Sequence, residues 1–403
     1  MRIFDIKSAW VNGTAQIRAQ VLPDSCREPL ELWYHFEGLD GPLETDADPF
    51  VAAMLPSCML DNEPCIVDGH VSKTFFDNLP WAQNVLDDWY PFLKPVTVEA
   101  RRHHIPRFDA DAAGVGCCFS GDVDSWYSFL ENRPQVTHLL TVRGFDIGLD
   151  NDTLWRSTRA SVGAVARATG KRLITCETNL RHIADRGRAH WSPAYDGDFW
   201  GMCLHGAALA SCAQPLRNTI GRIIVPSTHS FHQLKPWGSS PRLDGFWSND
   251  GLDVIHDGCE ADRLEKIRRI AANDLALRSL RVCHNDTGEA NCGRCEKCVR
   301  TMLELYVCGA LGRAAAFRNH DPFRKLQRLE VPEHLLPHYQ ALLRAAYRIG
   351  APDVVRSLET VMGMRFSVER TLAMAVRRAR RAQAAYRQSS RVADTHGKRS
   401  FVA

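Results

Sequence analysis

The stretch Gly114–Ser125, GVGCCFSGDVDS, decides the fold predicted for this chain. Its apolar half, Val115–Phe119, predicts a buried strand, small polar residues follow at once, and Trp126–Leu130 has a pattern that can be helical. A strand, a tight loop and a helix in this order leave the unpaired N–H groups of the first helical turn facing the loop. Because those groups carry partial positive charge, the stretch predicts an anion site.

Four residues of the loop suit a phosphate ligand. Gly121 permits unusual dihedral angles, and the hydroxyls of Ser120 and Ser125 can donate hydrogen bonds to phosphate oxygens. Asp124 can hold Mg²⁺ against a triphosphate. The alternative is an ordinary strand-to-helix turn in which the Asp and Ser side chains act only as local caps.

The loop resembles the Ser-Gly-Gly-x-Asp-Ser signature of the PP-loop ATP pyrophosphatases at five of the six positions, counting the free one, Val123. Asp122 stands where that family has its second glycine. Aspartate tolerates left-handed dihedrals better than most residues, but its carboxylate repels pyrophosphate unless a cation lies between them. The resemblance implies that Ser120–Ser125 binds ATP and its Mg²⁺.

Four cysteines give the second signal, in the segment CHNDTGEANCGRCEKC. Eight residues separate the first two, and gaps of two residues follow: Cys283, Cys292, Cys295 and Cys298. Four thiolates so spaced can surround one tetrahedral Zn²⁺ with each sulfur at about 2.3 Å. Protein would fill every position, so the zinc would be structural. An iron–sulfur cluster is the alternative, because C-x₂-C-x₂-C runs also hold those.

This spacing, followed by Arg300, resembles that of the 7-cyano-7-deazaguanine synthases, which are PP-loop enzymes with a zinc site in their C-terminal part. The segment Arg263–Ile267 (RLEKI) looks like that family's lysine-containing segment at the start of a helix. The resemblance covers about residues 113–310. It implies that Asp124 and Lys266 are catalytic, with Lys266 as the cation that faces the developing charge. A solvated helix face is the alternative for Lys266.

The same resemblance implies a reaction. ATP would adenylate a small-molecule carboxylate of the deazaguanine type with release of pyrophosphate, and an amine would then take the acyl group. The family's base-recognition residues are not found in Ser227–Ser240, where that segment falls. Related proteins of phage-defence operons join a deazaguanine acid to a protein amine, so we expect a protein or peptide amine as the acceptor here.

Composition limits the remaining classes. The chain has 403 residues, 45% of them hydrophobic, and a net charge of only +3, which argues against a nucleic-acid partner for the whole molecule. No apolar run approaches the length of a membrane helix, and the N-terminus lacks a signal peptide's pattern. We therefore expect a cytoplasmic protein that does not contact membranes, with its 14 cysteines reduced.

Strands and helices alternate from Ala113 onward, which predicts an α/β fold with a mainly parallel sheet. The resemblance makes this a Rossmann-like sheet of the adenine nucleotide alpha hydrolase type that carries a zinc-bound lobe. Ligands should gather at the carboxyl ends of its strands. The predicted divisions are an N-terminal α+β domain (1–105), the PP-loop domain (106–315) and a helical C-terminal region with a basic tail (316–403).

Two rival functions fit parts of the sequence. Sulfur transfer to a tRNA base would call for a reactive cysteine near the loop, but Cys117, Cys118 and Cys176 fall inside predicted strands and should be buried. A catalytically inactive nucleotide-binding or protein-binding module is the other rival, because Asp122 alters the loop. The basic tail, Arg370–Arg399, is either a solvated helix face with a disordered end or an arm that binds nucleic acid or an acidic partner.

Overall fold

The computed structural model describes residues 1–103, 114–185, 198–283, 290–317, 321–327, 329 and 331–363. The chain divides into two compact units, residues 1–320 and residues 321–403. The predicted basic tail lies outside the described residues. No helix within them combines the length and the apolar character that crossing a membrane requires.

One sheet of ten strands runs through the described part of the first unit. The strands are β1 Arg2–Val11, β2 Thr14–Leu22, β3 Leu30–Glu37, β4 Cys65–Ser72, β5 Val98–His103, β6 Gly114–Cys118, β7 His138–Arg143, β8 Arg172–Thr178, β9 Ile220–Pro226 and β10 Asp253–Asp257. Across the sheet their order is β10-β9-β6-β7-β8-β3-β2-β1-β4-β5. The five strands from β10 to β8 pair in parallel. The predicted α/β class with a mainly parallel sheet is therefore confirmed.

The helices of the first unit pack in two groups, the pattern of a sheet covered on both faces. They are α1 Asp48–Asp61, α2 Lys73–Trp89, α3 Val123–Asn132, α4 Asp152–Thr169, α5 Leu180–Ala184, α6 His205–Ala213, α7 Arg263–Ala271, α8 Asp274–Ser279 and α9 Glu296–Val307. Helices α1 and α6 share a core with alternate side chains of the central strands, among them Cys118, Leu140 and Ile174. Helices α3, α7, α8 and α9 form the other group.

The order in which the chain adds the parallel strands reverses at the centre of the sheet. The chain passes from β6 outward through β7 to β8, then returns to the opposite side of β6 for β9 and β10. In open α/β sheets a crevice opens where the order reverses, at the carboxyl ends of the strands, and ligands bind there. The loop Phe119–Asp122 follows β6 at this point, and Ser227 follows β9 beside it.

The first three strands extend the same sheet. Strand β3 pairs antiparallel with β8, with Tyr34 opposite Thr178. The hydroxyl of Thr178 donates to Trp33 O at 2.7 Å, and Asn179 Oδ1 accepts from Trp33 N at 3.0 Å. The expected boundary at residue 105 therefore does not divide the sheet, and the compact units separate after residue 320.

Some helix limits differ from the sequence-based ones. The sequence predicts that Pro56 ends a helix begun at Asp48, but α1 continues to Asp61 with Pro56 buried inside it. Burial of nearly the whole helix outweighs the lost backbone hydrogen bond. A single helix over Phe199–Cys212 was predicted, yet a π-helical turn, Trp200–Leu204, precedes α6. The sequence predicts Asp150 or Asp152 as the N-cap of α4, but Asn151 caps it; Gly170 ends it with φ 68°, as its position predicts.

The second unit contains helices α10 Pro322–Leu326, α11 Leu336–Arg348 and α12 Pro352–Gly363 among its described residues. Asp321 accepts hydrogen bonds from Phe323 N and Arg324 N and so caps α10. Helices α11 and α12 cover the two segments predicted to be helical there, Pro337–Ala346 and Pro352–Leu358.

Candidate functional site

The loop between β6 and α3 turns through Gly121, whose φ of 81° lies in the region that favours glycine. Ser120 Oγ accepts from Asp122 N at 3.3 Å and lies 3.4 Å from Ser125 Oγ. Val123 is fully buried, so only its backbone can face a ligand. The six predicted residues therefore form one short loop and the first turn of α3.

Asp122 is the N-cap of α3. Its Oδ1 accepts from Ser125 N at 2.9 Å, and its carbonyl oxygen accepts from Ser125 Oγ at 3.2 Å. Burial alone would raise the pKa of Asp122, but the positive charge of Lys297 and the hydrogen bonds from Ser125 and Ser120 lower it overall. An ionised carboxylate of this chain therefore uses a helix N–H group that a bound phosphate would otherwise engage.

Lys266 connects the two sides of the crevice. Its ammonium group donates to Asp124 Oδ1 at 3.0 Å and to Ser227 O at 2.5 Å, and its side chain is 2% exposed. The capping box of Asp262 and Glu265 begins α7, which carries this lysine. An ammonium group has three donors, so one remains for a ligand beside these two bonds. The alternative of a solvated helix face is wrong for Lys266, because its side chain is buried.

A small pocket adjoins the loop on the other side. Ser120, Gly121, Ser279, Thr158 and Arg281 contribute to its lining. Arg281 N donates to Gly121 O at 2.8 Å, which fixes the pocket against the loop. Within the described residues, two buried polar atoms here have no hydrogen-bond partner, Arg281 Nε and Thr158 Oγ1. Unpaired buried polar groups are costly, and the cavity, about 10 Å³, has room for about one water molecule beside them.

The loops that follow β7 and β8 meet at the same edge of the sheet. A Cβ on Gly144 would lie 1.9 Å from Thr178 O, so the loops that follow β7 and β8 touch where only glycine fits. Arg181 Nη1 donates to Phe145 O at 3.0 Å and its guanidinium stacks on Trp200. The predicted burial of Cys117, Cys118 and Cys176 is confirmed.

The four predicted metal ligands come together. The Sγ atoms of Cys283, Cys292, Cys295 and Cys298 all lie within 4.8 Å of one another. Sulfurs bound at about 2.3 Å to a tetrahedral zinc lie about 3.8 Å apart, and Cys283 Sγ lies 3.8 Å from Cys295 Sγ. Hydrogen bonding from Cys298 is the main cause that lowers the pKa of Cys295, to about 4. The cluster could hold a zinc ion.

Neighbouring residues hold this cluster in shape. Asn291 donates to Leu280 O at 2.7 Å and accepts from Val282 N at 2.9 Å. These bonds hold the segment just before Cys283 against Asn291, the residue that precedes Cys292. Gly293, with φ 64°, turns the backbone after Cys292. Cys295 N donates to Cys292 Sγ at 3.3 Å. These bonds satisfy backbone groups that a turn around a metal would otherwise leave unpaired.

Sequence reasoning missed a second polar cluster at the crevice. It consists of Asp244, His256 and Cys259, which lie beside Ser227. The only sequence signal is the run VIHDGCE, where a short strand is followed by a glycine turn and a cysteine. Strand β10 was not predicted, and Asp244 begins a short 3₁₀ helix, Asp244–Trp247, that was not predicted either, so nothing in the sequence placed these three residues together.

Comparisons with protein-family models, with curated proteins and with solved structures find no match to this chain. The features that bear on function are the geometry of the crevice, the cysteine cluster and the resemblance of the two motifs.

Proposed function

We propose that this chain is a PP-loop ATP pyrophosphatase, similar to the 7-cyano-7-deazaguanine synthases. It activates a carboxylate as an acyl-adenylate, with release of pyrophosphate, and passes the acyl group to an amine. The observation that carries this proposal is the position of the Ser120–Ser125 loop: it follows β6 at the reversal of strand order, and Lys266 reaches it from α7. This is where open α/β sheets bind nucleotides.

Each residue of the loop has a role in this reaction. Backbone N–H groups and the Ser120 and Ser125 hydroxyls bind the phosphates, and Gly121 allows the turn. Asp124 suits Mg²⁺, since this ion takes one or two carboxylates together with phosphate oxygens. The remaining donor of Lys266 faces the pyrophosphate as its charge develops. Carboxylate adenylation asks of the protein mainly such positioning and charge neutralisation.

The cysteine cluster supports the proposal by its order in the chain and by its contacts with the loop. It follows the phosphate loop by about 160 residues, as in the synthases it resembles. Arg281, two residues before the first cysteine, donates from its backbone to Gly121 O. Lys297, between the last two cysteines, acts on the Asp122 carboxylate. A zinc ion in this lobe would hold both basic residues at the loop.

The test is acid-dependent exchange of pyrophosphate into ATP, with 7-carboxy-7-deazaguanine as the first acid. We expect exchange by the wild-type chain and a loss of about 100-fold or more in Lys266→Met. Arg268→Met is the matched control, because Arg268 lies on the same helix but is exposed. Equal exchange in Lys266→Met and Arg268→Met would contradict the role of Lys266.

A nucleotide-binding or protein-binding module without catalysis is the second candidate. The specific observation in its favour is the Asp122 cap, because a carboxylate already occupies the Ser125 N–H. Wild-type protein that gives no pyrophosphate with any acid and binds no ATP by calorimetry would support the module. ATP binding with acid-dependent exchange would exclude it.

A further inference from the structure

The cluster that sequence reasoning missed has the geometry of a nucleophile, a base and an orienting carboxylate. Asp244 Oδ2 lies 2.8 Å from His256 Nδ1, and these two side chains are 0% and 4% exposed. His256 Nε2 is buried and makes no hydrogen bond of good geometry with the described residues. The thiol of Cys259 and this imidazole ring are near enough to shift each other's pKa. A carboxylate on one ring nitrogen and a thiol at the ring define a Cys-His-Asp set.

Asp244 is fixed so that it can orient the histidine. Its Oδ2 also accepts from Ser239 Oγ at 2.8 Å, and its Oδ1 accepts from Ser240 N at 3.2 Å. A carboxylate on Nδ1 selects the tautomer that leaves Nε2 to exchange a proton with a neighbour. Gly258, with φ 92°, turns the chain immediately after β10 and places Cys259 back at the crevice.

Charges around the thiol favour its ionised form. Burial would raise the pKa of Cys259, but the neighbouring His256 ring, the Ser227 hydroxyl and the positive charge of Lys266 lower it. Burial would lower the pKa of His256, but Asp244 and Cys259 raise it to about 9. Both shifts have the sign of a thiolate paired with an imidazolium. The facing groups come from β10, from the segment after β9, from α7 and from the segment that contains Asp244.

Cys259 is connected to the proposed nucleotide site through one residue, Ser227. Its Sγ lies 3.1 Å from Ser227 Oγ, and the carbonyl oxygen of Ser227 accepts from Lys266, the partner of Asp124. Cys259 is 4% exposed, and Phe231 N donates to Cys259 O at 2.7 Å, so the Ser227–Ser240 loop lies against it. Substrate would reach the thiol when this loop moves aside.

We propose that Cys259 is a catalytic nucleophile that takes the activated acyl group as a thioester before the amine receives it, with His256 as its base and Asp244 as a positioning residue. This inference rests on the proposed adenylation. The thiolate attacks the acyl carbon; a carbon–sulfur bond forms, the bond from that carbon to the phosphate oxygen breaks, and AMP leaves with the electron pair.

The second half of the reaction restores the thiolate. With the sulfur acylated, Asp244 still faces the imidazolium but the thiolate charge that also held its proton is gone, so the pKa of His256 falls and the ring releases its proton to solvent. The amine then attacks the thioester, a carbon–nitrogen bond forms and the carbon–sulfur bond breaks. His256 accepts the proton that the amine loses, and the thiolate–imidazolium pair returns. No oxidant or further reactant is needed.

The first experiment needs no substrate. The ultraviolet absorbance of thiolates is measured against pH for the wild type, for Cys259→Ala and for the control Cys308→Ala. Burial raises the pKa of Cys308 to about 11 in the wild type. We expect the wild type minus Cys259→Ala spectrum to contain a thiolate at pH 7, and the Cys308 difference to contain none. His256→Gln should raise the Cys259 midpoint by about 1 pH unit or more. Ser227→Ala should raise it too, if His256→Gln fails to fold. A Cys259 midpoint at or above an ordinary thiol value overturns the proposal.

The second experiment follows the acyl group. Protein, ATP with Mg²⁺ and 7-carboxy-7-deazaguanine are mixed without amine, quenched in acid and analysed by peptide mass spectrometry. We expect the acid on the Cys259 peptide, removable by hydroxylamine. In Cys259→Ala, amide formation should fall about 100-fold more than pyrophosphate exchange does.

The outcomes separate the two proposals. Amide formation by Cys259→Ala at the wild-type rate overturns the thioester while leaving adenylation intact. Absence of pyrophosphate exchange in the wild type overturns adenylation and the thioester together, and the ultraviolet titration then still decides whether Cys259 is ionised. A persulfide on Cys259 in the isolated protein would assign the residue to sulfur transfer and overturn the thioester.

Discussion

Arg263 Nε lies 3.1 Å from both carboxylate oxygens of Glu304 and joins α7 to α9. Arg263 also donates to Thr301 Oγ1 at 2.8 Å. Helix α9 begins at the cysteine cluster, and α7 carries Lys266. The buried pair therefore links the candidate metal site to the lysine that bridges the crevice.

Breaking this pair should destabilise the first unit. In Arg263→Met, the buried Glu304 carboxylate keeps Arg300 Nη1 at 3.7 Å but loses its closer partner, and we expect a cost of about 3 kcal/mol in urea unfolding. The double variant Arg263→Met with Glu304→Leu should recover much of that cost. Lys73→Met, at a surface pair with Asp77, is the control and should cost less than about 1 kcal/mol. A single-variant cost no larger than that of the control would refute the link.

Zinc should be present and should stabilise the lobe. Elemental analysis is expected to return about one zinc per chain. Cys295→Ser should lose the metal and lower the unfolding temperature, because structural zinc contributes on the order of several kcal/mol or more. Cys308→Ser, outside the cluster, should keep both. Bound iron with a visible charge-transfer band would show that the ion is not zinc.

We expect the negative charge of Asp122, and not the shape of its side chain, to weaken nucleotide binding. Asp122→Asn can still accept from Ser125 N, so the helix cap persists while the negative charge disappears. We expect its Kd for ATP with Mg²⁺ to fall about 10-fold, about 1.4 kcal/mol. Asp321→Asn, the same change at the cap of α10, should leave the Kd unchanged. Calorimetry measures both, and an unchanged Kd in Asp122→Asn would mean that the charge of Asp122 does not oppose nucleotide binding.

The raised pKa of His256 predicts that the free energy of unfolding depends on pH. Its pKa is about 9 in the folded chain against 6.5 for an ordinary histidine, so the folded form binds the proton more tightly. The contribution, about 3 kcal/mol, is fully present below pH 6.5 and is lost as the pH rises through about 9. The difference in unfolding free energy between wild type and His256→Gln should therefore shrink from pH 6.5 to 10. A constant difference across this range would contradict the raised pKa.

The sequence predicts local features well and distant ones poorly. The Gly114–Ser125 stretch and the cysteine spacing are contiguous, so their strand, turn and cluster follow from nearest-neighbour chemistry. The pairing of β3 with β8 joins residues about 140 positions apart, and no local pattern encodes it. Asp244 reaches His256 because the 3₁₀ helix Asp244–Trp247 packs against β10, a contact that no local pattern encodes. Pro56 stays helical because tertiary burial overrides its local preference.

The seam between β3 and β8 bears on how the chain is made. While the ribosome has released only the first strands, β3 presents unpaired backbone N–H and C=O groups, because its partner is encoded more than 130 residues later. Contacts so far apart in sequence close slowly. The nascent N-terminal strands thus expose an unpaired, aggregation-prone edge for much of translation, and a holdase chaperone would raise the yield of native protein.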